Sequence, residues 1–280
     1  MDFEFWHPLS FLQRIFNFDL KVWKENLEKK SENLNHGFGL LKMEWDSQFF
    51  GAEISKISFL NPEKFNSERF NKYIYKEENG LSKHIFIEVP SEAVGCFGLL
   101  SGLGFSLVES RLTYFHLLDH LPIPLNNSRK ASKVDIPYLK KVASQAVNDF
   151  DRYHADPFFS TGMANNYLET YIENCVNGFS ECVFVPDLDQ VPYSFVALSR
   201  LKEDSWLEKE PLFRIPLTAC LPENKGWHYL LCLEALHYAK NNNAKCLVMT
   251  TQTTNKAVIH NCEKLGFKLG SCTHIYSKSF

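Results

Sequence analysis

The segment Asn255-Lys256-Ala257-Val258-Ile259-His260-Asn261-Cys262-Glu263-Lys264-Leu265-Gly266-Phe267 constrains the fold more than any other part of the chain. It reads as a short helix closed by a glycine and followed by a strand. The Asn255 side chain can accept a hydrogen bond from a free N–H of the first turn. Gly266 stands where a left-handed residue ends a helix, a conformation open to glycine because it has no Cβ. Phe267-Lys268-Leu269 then opens the strand. The same punctuation occurs earlier, in Leu99-Leu100-Ser101-Gly102-Leu103-Gly104-Phe105-Ser106-Leu107-Val108-Glu109-Ser110. Two segments with one pattern predict two related units, although a match this short is within reach of chance. The first copy lacks the leading Asn.

A length of 280 residues suits one large domain or two modest ones. With 45% hydrophobic and 22% charged residues the chain can bury a core and is not globally disordered. A net charge of −3 argues against a broad nucleic-acid-binding face, which needs clustered excess Lys and Arg. No apolar run approaches the ~20 residues that span a bilayer. Met1-Asp2-Phe3-Glu4 carries no basic n-region, so no signal peptide is expected. The cysteines, at 96, 175, 182, 220, 232, 246, 262 and 272, include no Cys-x-x-Cys spacing, so no metal site is expected. Reduced cysteines in a cytoplasmic protein are the plain expectation.

Three stretches follow along the chain. Residues 1–36 are an N-terminal extension in which Phe11, Leu12, Ile15, Phe18 and Val22 share one helical face. A helix packed on the body is the plain reading; a dimer-contact arm, and so a homodimer, is an alternative. Membrane-surface attachment is a third, weakened by acids mixed with Lys on the polar face. Residues 37–125 form a first unit, with strand, turn and strand over Leu40 to Leu60 and a strand at His84–Val89. Pro122-Ile123-Pro124-Leu125-Asn126-Asn127-Ser128 is the break. Residues 130–280 form the second unit. A helix begins near Val134, with Asp135 as cap and Pro137 in the first turn. A second covers 163–177, with Tyr167, Leu168, Tyr171, Ile172 and Cys175 on one face. Three strands follow, at 181–185, 193–198 and 211–221, then a helix from Tyr229 to Asn241 and a strand at 245–251.

This order, with the Asn-led last helix, resembles the GNAT N-acetyltransferases. The resemblance implies an α/β (α+β) fold with a mixed central sheet flanked by helices, here in two GNAT-like halves. It implies acetyl-CoA as co-substrate, with Asn255 on the pantetheine arm. Backbone groups at Ala219, Cys220 and Leu221 would meet pantetheine and the thioester oxygen. The loop Asn224-Lys225-Gly226-Trp227-His228 would cradle the pyrophosphate on free amides at a helix start. Two departures stand out. His228 replaces the family's last loop glycine and would crowd the closest backbone approach. Cys262 replaces the tyrosine that protonates the departing thiolate. The first half has no phosphate loop and keeps the architecture without the cofactor.

A finer resemblance, to the TDP-fucosamine acetyltransferase family, covers most of residues 41–280. It rests on Glu44-Trp45-Asp46-Ser47-Gln48-Phe49-Phe50-Gly51, Leu103-Gly104-Phe105-Ser106-Leu107-Val108-Glu109, Asp135-Ile136-Pro137, Tyr171-Ile172-Glu173-Asn174 and Thr251-Gln252. It implies direct transfer of acetyl to the amine of a nucleotide-linked amino sugar in polysaccharide biosynthesis. That chemistry needs a neutral amine, a polarised thioester oxygen and a proton for the thiolate. Cys262, with an ordinary pKa of about 8.5, can supply that proton. Tyr276, or a water on His274, is the alternative; the bland reading of Cys262 is a small half-buried helix residue. In Asp151-Arg152-Tyr153-His154-Ala155-Asp156-Pro157-Phe158-Phe159, Arg152 and His154 can meet the nucleotide phosphates, and Tyr153 or Phe158 can stack on a base or sugar. Asp156 can bind the ammonium, and His154 can relay a proton. A capped, salt-bridged loop is the rival. Trp45 and Asp46 read as a turn. Two other functions stay open: a GNAT-fold transferase for another acyl donor or amine, and a non-enzymatic binding module.

Overall fold

The computed structural model describes residues 9–16, 25, 28–29, 31, 33–75, 82–124, 127–146, 149–188, 191–201 and 211–280. After a 3-10 turn at Ser10–Arg14, the chain runs through β1 (Phe38–Lys42), α1 (Glu44–Phe50), β2 (Glu53–Leu60), α2 (Ser67–Ile74), β3 (Lys83–Pro90), α3 (Val94–Gly102) and β4 (Ser106–His116). It continues with β5 (Ser128–Lys130), α4 (Ile136–Gln145), α5 (Arg152–Ala155), α6 (Thr161–Asn174), β6 (Cys182–Pro186), β7 (Ser194–Arg200), β8 (Leu212–Ile215) and β9 (Thr218–Cys220). The last elements are α7 (Trp227–Asn241), β10 (Cys246–Gln252), α8 (Lys256–Leu265) and β11 (Lys268–Ser279). Leu12 of the predicted N-terminal face is buried, whereas Phe18 and Val22 lie outside the described residues.

The repeated punctuation closes both helices in the same way. Asn255 caps α8 by accepting from Val258 N–H at 3.3 Å. At the far end Gly266 takes φ 84°, and Phe267 N–H donates to Cys262 O at 3.0 Å. After α3, Gly104 takes φ 77° and Phe105 N–H donates to Leu100 O at 3.0 Å. A C-terminal left-handed residue with a six-to-one hydrogen bond behind it needs glycine at that position. The Leu-Gly-Phe repeat is therefore a structural repeat.

Two compact units result, and they do not follow the division expected near residue 125. The first comprises Met1–Arg111, Phe150–Phe159 and Ser271–Phe280; the second comprises Leu112–Asp149 and Ser160–Gly270. β4 begins in the first and ends in the second, and β11 does the reverse.

In the first unit β1 and β2 are antiparallel, β2 and β3 parallel, and β3 and β11 antiparallel. Strand alternation sorts β3. Ile85, Ile87 and Val89 join the apolar cluster with Phe70 of α2 and Leu100 of α3, while His84, Phe86 and Glu88 point to the opposite face. Between β1 and β2 the chain forms the α1 helix where strand, turn and strand was expected. Gly51 ends α1 in the left-handed region at φ 63°.

The second unit has the strand order β4-β10-β8-β7-β6-β5, with β9 on β7. β7 is buried on both faces. Phe195 and Ala197 pack with Leu139 of α4 and Ile172 of α6, and Val196 and Leu198 pack with Leu231 and Leu236 of α7. Helices thus flank a mixed sheet. Asp135 stands at the N-cap of α4, as expected, but its side chain makes no cap hydrogen bond there. It closes a capping box with Ser132 around the 3-10 turn Lys133–Asp135 and accepts from Arg129 Nη1 at 2.9 Å and Nη2 at 2.8 Å. No helix among the described residues is long and apolar enough to cross a membrane.

Candidate functional site

The strand expected at 211–221 is two strands, and the break opens an edge. β8 pairs with β10 in parallel from Cys246↔Leu212 to Met249↔Ile215, where the pairing stops. Among the described residues β9 then pairs with β7 alone. Leu221 N–H donates to Tyr193 O at 2.9 Å, and Ala197 N–H donates to Leu217 O at 2.9 Å. The alternation of an antiparallel ladder aims the peptide groups of Thr218 and Cys220 at the other, open edge. Of the three residues expected to meet pantetheine, Cys220 offers its N–H there. Leu221 has given its own N–H to the ladder, and Ala219 contributes its side chain to the core.

The loop after β9 leads into the start of α7. Gly226 is the N-cap at φ 96° and brings no capping side chain; the His228 N–H is turned to the Cys220 thiol, and the other first-turn N–H groups are left for an outside acceptor. Buried Asn224 holds this loop from below: its Oδ1 accepts from Tyr193 N–H at 3.1 Å and from Ser194 Oγ at 3.2 Å. Cys220 Sγ donates to Asn224 O at 3.1 Å. Burial pushes the Cys220 thiol up, against a backbone hydrogen bond from His228. Lys225 is exposed and Trp227 half-buried. Asn255 Oδ1 is used in capping α8, which leaves its amide NH2 as the donor for a ligand carbonyl.

The structure corrects two expectations. The His228 imidazole does not crowd the loop. It is buried between α7 and α8, with Nδ1 2.8 Å from Asn261 Nδ2 and Nε2 3.6 Å from Cys232 Sγ. Cys262 is not a reachable acid. It is fully buried in the core with Cys232, and burial pushes its thiol up to about 12. Tyr276 lies in the first unit, where its ring stacks on Phe97 at 6.0 Å. His274 there is bracketed by Ser110 Oγ at 2.9 Å and Ser91 Oγ at 3.0 Å.

Arg152, Tyr153, His154 and Asp156 also belong to the first unit. Asp151 caps α5 by accepting from Tyr153 N–H and pairs with His154 Nδ1 at 2.6 Å. The buried Arg152 guanidinium lies 3.5 Å over the Phe86 ring. Asp156 Oδ2 faces His84 Nε2 at 3.3 Å. Asp46, read as a turn residue, is a buried α1 residue; burial raises its carboxyl pKa and the Arg152 charge lowers it, burial prevailing. Sequence reading missed His84 and Glu88, although their alternation with Ile85, Ile87 and Val89 was the available signal. It also missed the His116-x-x-x-His120 spacing. There His116 Nδ1 accepts from Leu118 N–H at 2.8 Å, and among the described residues no group of His, Cys, Asp and Glu could hold a metal.

The buried histidines set an acid limit. Burial lowers His228 from 6.5 to about 4, and His84 likewise, with Asp156 opposing and Arg152 adding to the fall. A depressed histidine binds its proton more readily unfolded, so stability is full above pH 6.5 and falls as pH drops toward 4. For His228 the loss is on the order of 3 kcal/mol. Urea unfolding across this range should show it. In His228→Gln the slope of unfolding free energy against pH should drop by about one proton.

The sequence matches no protein-family profile and no curated relative. Solved structures similar to this chain include GCN5-related N-acetyltransferases. One, from Kribbella flavida, is 13% identical, with TM-score 0.56 over 92% of this chain and 93% of its own. A conserved protein of unknown function from Staphylococcus epidermidis ATCC 12228 is 12% identical, with TM-score 0.58 over 89% and 93%. A tandem GNAT protein of the clavulanic acid pathway is 11% identical, with TM-score 0.51 over 82% and 76%. The chain thus has the GNAT fold.

Proposed function

We propose that the chain moves an acetyl group from acetyl-CoA to an amine, and that the amine belongs to a nucleotide-linked amino sugar. The open edge of β9 beside the uncapped start of α7 carries the reading. A free strand edge offers pantetheine amides the pairing that a neighbouring strand would otherwise supply. The helix start favours a pyrophosphate by its free N–H groups and dipole. In this proposal Asn255 holds a pantetheine carbonyl, and Lys225 adds charge at the phosphates. Cys220 N–H stabilises the thioester oxygen as the amine nitrogen bonds the acyl carbon, the C–S bond breaks and the nitrogen sheds its surplus proton to water, balancing the proton the thiolate takes up. Cys262 drops out as the acid, and the thiolate takes its proton from water. Tyr153, His154 and Asp156 stay the proposed acceptor-recognising residues; Arg152, buried over Phe86, drops out of the phosphate contact. The amino-sugar part rests on sequence resemblance and is tested with a panel of nucleotide amino sugars against peptide and small amines.

In the first unit the donors of the β2–α2 loop are already taken by the chain's own oxygens. Asn61 Oδ1 accepts from Glu63 and Lys64 N–H, His36 O accepts from Asn66 N–H, and Asn66 Oδ1 accepts from Arg69 N–H. Calorimetry should therefore give one acetyl-CoA per chain, weakened in Asn255→Ala. Two sites per chain, or no binding at millimolar acetyl-CoA, would overturn the reading.

A further inference from the structure

We infer that Arg152 forms a carboxylate-binding site within the first unit. Its side chain is 7% exposed, and its guanidinium lies 3.5 Å from the Phe86 ring centre and 4.9 Å from that of Tyr153. Nε and Nη2 are buried and have no hydrogen-bond partner. These two atoms share one edge of the guanidinium and point two parallel N–H groups the same way, the fork that matches both oxygens of a carboxylate. A buried donor pair left unmade is costly, and proteins seldom retain one that nothing fills.

The protein's own acids do not fill it. Asp46 and Glu88 feel the Arg152 charge, yet among the described residues neither forms an ion pair with it. Glu88 Oε1 accepts from Thr273 Oγ1 at 2.9 Å. Asp156 Oδ1 accepts from Phe158 N–H at 3.0 Å, and its other oxygen faces His84. Charge selects the ligand. Asp46 and Glu88 already lie in the field of this cation, so a doubly charged phosphate would be repelled more than a singly charged carboxylate. The ligand is therefore a small molecule with a singly charged carboxylate.

This inference concerns the first unit alone and does not rest on acetyl transfer. The test follows the Arg152 Nε–H signal by NMR in the full-length protein, without acetyl-CoA, assigned by its loss in Arg152→Lys. Acetate, lactate, inorganic phosphate and chloride are titrated at matched ionic strength. Saturable shifts with acetate or lactate are expected. Lactate should raise the melting temperature of the native protein, with at least a tenfold weaker response in Arg152→Lys. No saturable shift with any anion would mean that water satisfies the edge, and a stronger response to phosphate would give the site to another ligand; either overturns the inference. Should Arg152→Lys fail to fold, the native titrations still decide between these outcomes.

Discussion

Gly226→Val should weaken acetyl-CoA binding more than tenfold while costing little stability. Gly226 sits at φ 96°, and a Cβ built there meets nothing within 4 Å. The change therefore brings no steric clash with the protein. Its cost is backbone strain of about 1–2 kcal/mol, because L-residues resist the left-handed region. The loop can relieve that strain by leaving the conformation, since Gly226 is exposed and no side chain caps α7. Relief turns the first-turn N–H groups away from a common point, which is what an anion there requires. Gly226→Asn tests the cause: asparagine tolerates positive φ, so it should keep most of the affinity. Calorimetry on both variants, with melting curves beside it, checks this. Unchanged affinity in Gly226→Val would remove the loop from the site.

The parts of the fold that could be read in advance are those whose signal is local. The Leu-Gly-Phe turns, Asn255 as a cap and the strands around Phe195 and Leu247 follow from capping chemistry and short-range periodicity. The α1 helix was missed because it is seven residues long and has no side-chain cap. Nothing in Glu44-Trp45-Asp46 separates it from a turn. The site was less legible because its residues are defined by burial and pairing. Cys262 and His228 occupy positions where the GNAT resemblance puts chemistry, but which way each side chain turns depends on α7 and α8 packing together. Asn261, which fixes His228, carried no signal by itself. The segment 150–159 lies in sequence within the second unit, yet its partners His84 and Phe86 come from β3 in the first. Sequence order cannot show that excursion.

Asn224→Ala should be the most damaging single change near the loop. Asn224 is 4% exposed, and its Oδ1 receives both Tyr193 N–H and Ser194 Oγ. Alanine leaves two buried donors facing no acceptor, at about 1–3 kcal/mol for each. The Ser194 hydroxyl can rotate, whereas the Tyr193 N–H cannot, so the sum falls near 2–4 kcal/mol. For a chain of this size that is a fall of roughly 5–10 °C in melting temperature. Acetyl-CoA affinity should fall as well. The same side chain ties the loop to β7, and Asn224 O receives the Cys220 thiol, so binding would have to order a loop that is now prepared in advance. Asn224→Asp keeps the acceptor and should lose less stability at neutral pH. A double-mutant cycle with Ser194→Ala separates the direct bond from general loosening: coupling above about 0.5 kcal/mol is expected for groups in contact, and additive effects would count against it. The loop is thus held by a buried amide beneath it, and its exposed donors are left for the ligand.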